Sequence, residues 1–332
     1  MTKRERVCLA LAHQQPDTVP YGIELTSKAM EAFTARYGIG KADFFDFAGS
    51  HIEKIGYNGG QNLDARYFQD DFGVVWDRGG GDDIGVVGNY LLCEPDIEGF
   101  KCPAVQPEEI KRITGRALAN GRDSFKLAKI GMLLFERAWS LRSMEELLVD
   151  FYENEAFAAG LLAKITDYNV AVINEALKYP VDGFYFGDDY GQQNGLITGA
   201  PLWRKFVKPE LARAFVPIKA KGLPVFLHSC GDITDILDDL VEIGLDCYQT
   251  VQPEIYDLRA LKSRYGARLA FYGAISTQRF LPSATADAVR SKIAETTEIL
   301  GESGGYICAP THQIPGDVPP ENIMAMITAL KR

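Results

Sequence analysis

From about residue 125 to the C-terminus, short apolar runs alternate with helix-periodic stretches at least five times. A strand, a helix and a further strand in that order form a crossover unit, which pairs its strands in parallel. The runs at 126–135, 182–187, 223–228, 245–251, 268–274 and 305–309 read as strands. Helical spacing fills the intervals, with Leu161, Ile165, Tyr168 and Val172 on one face of the long stretch 150–179. Adding 19–25 and 72–76, or a neighbour of the latter, gives about eight strands. Eight is the number that closes a (β/α)8 barrel. The expected fold is therefore α/β, a single TIM-barrel domain over 1–332, in preference to an open doubly wound sheet.

The N-terminal half is less regular. Thr2 and Glu5 form a capping-box pattern ahead of a helix over 2–14. The stretch 57–102 is rich in glycine and aspartate and predicts a hairpin or an irregular insertion. Gly79-Gly80-Gly81 lacks the strand–GxGxxG–helix context of a phosphate loop, which argues against one there.

Composition narrows the function classes. With 35 Lys and Arg against 45 Asp and Glu, the net charge is −10, which argues against nucleic acid as a partner. The six cysteines are scattered, as reduced thiols in a cytoplasmic enzyme would be, and do not suggest a disulfide framework. Lys3, Arg4 and Arg6 precede an apolar run too short for a signal peptide, and no stretch reads as a membrane span. The expectation is a soluble cytoplasmic protein.

Within this frame the run 223–232 is the most suggestive. A strand ends in His228 and Cys230, and Gly231 and Asp232 open a helix. Residues two apart in an extended segment project to one side, so imidazole and thiolate can reach one ion. A histidine beside a core cysteine is the ordinary reading of such a pair. Its place at the carboxyl end of a strand, where α/β proteins bind ligands, favours a metal site. The last strand offers Cys308, within it, and His312, just beyond it, as a third ligand; His312 stands at the level of such a site, and spacing leaves the choice open. Asp188-Asp189 ends the strand at 182–187 and suits acid–base work, although one capping acid and one solvated acid would look the same. Glu24, Glu136 and Arg137 share that strand-end position. Gln249, Gln252 and Tyr272 could hydrogen-bond a polar ligand.

Four segments, Phe186-Gly187-Asp188-Asp189-Tyr190-Gly191, Phe226-Leu227-His228-Ser229-Cys230-Gly231, Tyr272-Gly273-Ala274-Ile275 and the tail 305–323, make the chain resemble the uroporphyrinogen decarboxylase superfamily. The resemblance implies one barrel with a cleft at the strands' carboxyl ends, and two chemistries. The decarboxylases carry an arginine-rich N-terminal signature, whereas the region after Pro20 reads Tyr21-Gly22-Ile23-Glu24-Leu25-Thr26. The cobamide-dependent methyltransferases hold zinc on His-x-Cys and a later cysteine; His228 and Cys230 match the first two, and the third aligns on His312. The resemblance therefore implies a zinc methyltransferase, with zinc on His228, Cys230 and His312 or Cys308. Asp188, Asp189 and His312 would be catalytic, and Glu24, Glu136, Gln249, Gln252 and Tyr272 would bind substrate. A separate corrinoid protein would present the cobalamin, since no Asp-x-His-x-x-Gly pattern occurs here. The other partners are a small-molecule methyl donor or acceptor, a methoxy or methylamine-type compound or a thiol, and, as an open alternative, a second copy in a homodimer. Tetrapyrrole decarboxylation and a non-catalytic binding barrel are the competing readings.

Overall fold

In a computed structural model the protein is described over residues 1–79 and 85–331. Gly80 and Gly81 of the glycine triplet, and Ile84 of the apolar run at 84–92, lie outside the described residues. The chain gathers into two compact units, each discontinuous in sequence: 1–53, 122–126 and 246–332 form one, and 54–121 and 127–245 the other.

The first unit holds three parallel strands, Cys247–Thr250, Ala270–Ile275 and Tyr306–Pro310, with Gln249 opposite Tyr272 and Gly273 opposite Cys308. All three are buried along their whole length, as strands covered on both faces are. Two helices of this unit, Leu258–Tyr265 and Ala286–Gly301, are N-capped by the side chains of Asp257 and Thr285. Lys3–Leu11 has the expected capping box of Thr2 and Glu5. The segment at 19–25, expected as a full strand, makes only isolated parallel bridges, Tyr21 to Cys308 and Leu25 to Ile314. Pro20 lacks an amide hydrogen, which weakens a continuous ladder there.

The second unit carries the parallel set Leu127↔Gly183 and Phe184↔Val225. Helix Glu155–Ala176 buries Leu161, Leu162, Ile165 and Ile173 in this unit. That helix is long and apolar enough to cross a membrane, but half of its most apolar window is buried in the structure, as in a core helix. Seven parallel strands occur among the described residues: these three with those of the first unit, and Ile52–Gly56, where the sequence pattern predicts none. The supposed strand at 72–76 is instead Val75–Asp77, within an antiparallel sheet of Gly60–Asn62, Tyr67–Asp70, Val75–Asp77 and Val86–Val87. A further correction concerns Glu136 and Arg137. The strand stops at Ile130, and both residues lie in the first turn of helix Phe135–Arg142.

One buried polar knot secures the antiparallel sheet. Asp70 accepts the amide hydrogens of Phe72 and Val74, the indole hydrogen of Trp76 at 3.0 Å and the Arg137 guanidinium at 2.6 Å. Arg137 also lies over the Phe72 ring, 4.2 Å from its centroid. Removing the carboxylate leaves a guanidinium buried without its counter-charge. Asp70→Ala is expected to cost about 3–5 kcal/mol in urea unfolding; a loss under about 1 kcal/mol would mean that the pair behaves as a surface ion pair.

Candidate metal centre

His228 is the last residue of strand Val225–His228, and its backbone is opposite Gly187 at the end of Gly183–Gly187. The two strand ends stay joined one residue further, where Asp188 N–H donates to the His228 carbonyl at 3.0 Å. Beyond that point the two loops are knitted together. Cys230 N–H donates to Asp189 Oδ1 at 2.8 Å, Tyr190 N–H to Ser229 Oγ at 3.0 Å, and Asp232 N–H to the Gln192 carbonyl at 2.8 Å. Gly191 and Gly231 permit this approach. A side chain on Gly191 would come within 2.7 Å of the Cys230 carbonyl, and one on Gly231, at φ +80°, would collide with the Gly191 backbone.

The loops bring three ligand-type atoms together. His228 Nε2 lies 3.6 Å from Cys230 Sγ and 3.5 Å from Asp189 Oδ1, and all three atoms lie within 4.8 Å of one another. Tetrahedral zinc with ordinary bond lengths would separate a nitrogen from a sulfur ligand by about 3.6 Å and from an oxygen ligand by about 3.4 Å. The observed spacings fit that geometry. Each of the three residues is partly exposed, so an ion and a further ligand could reach them. The ring of Tyr185 packs beside His228 with centroids 6.4 Å apart.

The two aspartates have separate jobs. Asp188 is fully buried and accepts the amide hydrogens of Phe135 at 2.9 Å and Glu136 at 2.7 Å. Helix Phe135–Arg142 has no side-chain cap from its own N-cap residue, so Asp188 supplies one from across the unit. Tyr190 is buried beside it, close enough to interact electrostatically, though its hydroxyl has no hydrogen bond of proper geometry. Asp189 turns the other way, toward His228 and Cys230. Glu136 lies close enough to feel both carboxylates and accepts a hydrogen bond from the Asp189 backbone.

Three carboxyls in one small volume cannot all ionise cheaply. Burial raises Glu136 well above the usual carboxylate range, and the charges of Asp189 and Asp188 add to the effect. Burial likewise brings Asp188 to about 7, against the pull of its two amide donors. A carboxyl raised on folding stabilises the fold fully below its unfolded pKa of 3.8, and that contribution is lost as pH rises through about 7. The metal-free protein is therefore expected to lose on the order of 2–4 kcal/mol between about pH 5 and pH 8. Glu136→Gln should flatten the slope by removing one of the buried carboxyls whose ionisation the fold penalises. Urea unfolding of chelator-treated protein across that range checks this, and equal slopes for the two proteins would contradict it.

The other sequence-derived candidates belong to the first unit. Gln249 is buried and donates to the Thr311 carbonyl at 2.9 Å, and the Gln252 carbonyl accepts from the Ile255 and Tyr256 amides. Tyr272 is buried with its hydroxyl against Gly22, and Glu24 is partly buried, its carbonyl accepting from Ile314 N–H. Cys308 is fully buried, which pushes its thiol up to about 12, while His312 is exposed just past the strand end. The sequence had offered Asp189 as a catalytic acid, not a ligand. Its carboxylate is held beside His228 by the Cys230 amide, a contact across 41 residues that leaves no periodic trace.

Residues 135–332 match the family model described as Uroporphyrinogen decarboxylase (URO-D). Among curated proteins, a uroporphyrinogen decarboxylase of Legionella pneumophila is 25% identical over 193 residues, 58% of this chain and 52% of that protein. A methylated-thiol–coenzyme M methyltransferase of Methanosarcina mazei is 24% identical over 170 residues, 50% of this chain and 42% of its own length. The chain thus spans about half the length of the curated relatives it matches. A solved methyltransferase from Methanosarcina mazei superposes with a TM-score of 0.74 at 19% identity, covering 100% of this chain and 98% of that one, and shares the fold.

Proposed function

The chain belongs to the uroporphyrinogen decarboxylase family, and from that premise we propose that it is a zinc-dependent methyltransferase working with a separate corrinoid protein. The observation that carries this reading is the spacing of His228, Cys230 and Asp189, which suits one tetrahedral ion. Similarity to a methylated-thiol methyltransferase supports the reaction class. The domain we propose is a single closed (β/α)8 barrel over 1–332, and the compartment is the cytoplasm.

In this reading His228, Cys230 and Asp189 hold the zinc. His312 and Cys308 are candidates for a further ligand, and burial makes Cys308 the poorer thiolate donor. Bound zinc would lower the pKa of an acceptor thiol or polarise a methoxy or amine-type donor. The chain's own residues do the rest. The Cys230 amide holds the Asp189 carboxylate, so both ligands keep one orientation. Asp188 anchors the first turn of Phe135–Arg142 and thereby places Glu136. Glu136, whose proton affinity is raised by burial beside two aspartates, is placed next to Asp189 for acid–base work. Glu24, Gln249, Gln252 and Tyr272 are proposed to contact substrate.

Metal analysis tests the reading. Purified wild type is expected to carry about one zinc per chain, and Cys230→Ala and Asp189→Ala to lose most of it. In the same series, His312→Ala and Cys308→Ala identify any further ligand. Methyl transfer should require both zinc and a corrinoid protein. A metal-free wild type purified without chelator, or decarboxylation of porphyrinogen by the protein alone, would replace this function with another.

A further inference from the structure

A small cavity in the second unit is separate from the three ligand atoms. It is lined by Asp71, Phe72, Arg137 and Tyr168 with the loop Ile130-Gly131-Met132, and has room for about one water or hydroxyl group. The loop is held open by two asparagines. Asn58 both donates to the Gly131 carbonyl at 2.8 Å and accepts its N–H at 2.7 Å, while Asn169 donates to the Leu133 carbonyl. Met132 has φ +51°, unusual for a side-chain-bearing residue.

Two residues lining this cavity each carry a buried polar atom without a hydrogen-bond partner, Arg137 Nε and Asp71 Oδ1. Arg137 is only 2% exposed. Its charge is already answered by Asp70, whose own oxygens are filled by the Phe72, Val74 and Trp76 donors. Asp71 Oδ2 is used too, by Tyr168 Oη at 3.2 Å and Gly59 N–H at 3.3 Å. What remains is one N–H without an acceptor and one carboxyl oxygen without a donor. Leaving both unanswered is costly. A hydroxyl answers both, since one oxygen can accept from Arg137 and donate to Asp71. An anion would meet the carboxyl of Asp71, and a cation would leave the Arg137 N–H unanswered.

We propose that this cavity is a binding subsite for the hydroxyl group of a small uncharged ligand, held between Arg137 Nε and Asp71 Oδ1. The first turn of Phe135–Arg142 presents Glu136 toward Asp189 and Arg137 toward the cavity. On the methyltransferase reading, the ligand seated there is the substrate of the centre described above, a neutral hydroxyl-bearing molecule. That last step rests on the methyltransferase reading; the binding itself does not.

Ethylene glycol, acetate and methylammonium serve as neutral, anionic and cationic probes of equal simplicity. In crystals of the full chain soaked with each, and in titrations followed by NMR, ethylene glycol is expected to bind best, with one oxygen between Arg137 Nε and Asp71 Oδ1. Asp71→Leu should weaken it about tenfold. Asp71→Asn, which keeps a polar partner in the same place, should stay within about threefold. Preference for acetate or methylammonium at this site overturns the proposal, as does density for water alone at every glycol concentration. Should Asp71→Leu not fold, the order of the three probes on wild type decides. Zinc content of the same samples reports separately on the metal centre.

Discussion

The buried carboxylate of Asp188 joins three segments that the chain order keeps far apart. Its own N–H continues the pairing of strand Gly183–Gly187 with Val225–His228, and its oxygens take the first free amides of helix Phe135–Arg142. Each bond satisfies a group that would otherwise be buried unpaired. The position of His228, the direction of Asp189 and the place of Glu136 follow from that junction. The helix it caps also carries Arg137, so the salt bridge to Asp70 and the hydroxyl-sized cavity depend on the same anchor.

This economy has an electrostatic consequence. Capping a helix from a fully buried position puts a carboxyl where ionisation is penalised, and Asp189 and Glu136 sit close enough to share the penalty. Such a cluster is poorly suited to holding a fold at high pH and well suited to receiving a cation or retaining a proton. Stability and function pull the cluster in opposite directions, a common condition where ionisable groups converge.

Much of the fold is legible in the sequence. Six of the seven parallel strands were expected close to where they occur, because strands buried on both faces read as continuous apolar runs between helical stretches. The capping box of Thr2 and Glu5 was readable too, because both of its residues lie within one local pattern. Ile52–Gly56 was not, because Glu53 and Lys54 interrupt its apolar pattern. Glu136 and Arg137 were misplaced at a strand end because Gly131-Met132-Leu133-Leu134-Phe135 prolongs the apolar run without prolonging the strand.

The sequence by itself determined the alternating α/β pattern and the presence of His228 and Cys230 two residues apart at the close of a strand. Those are local properties: periodicity follows backbone geometry, and alternate residues of an extended segment share a side. Only the tertiary structure decided that Asp189 faces the pair while its neighbour Asp188 caps a helix. It also decided that Arg137 and Asp71 share a cavity. Adjacent residues have the same sequence context, and which of them turns toward a site depends on hydrogen bonds to segments dozens of residues away. No periodicity records such bonds.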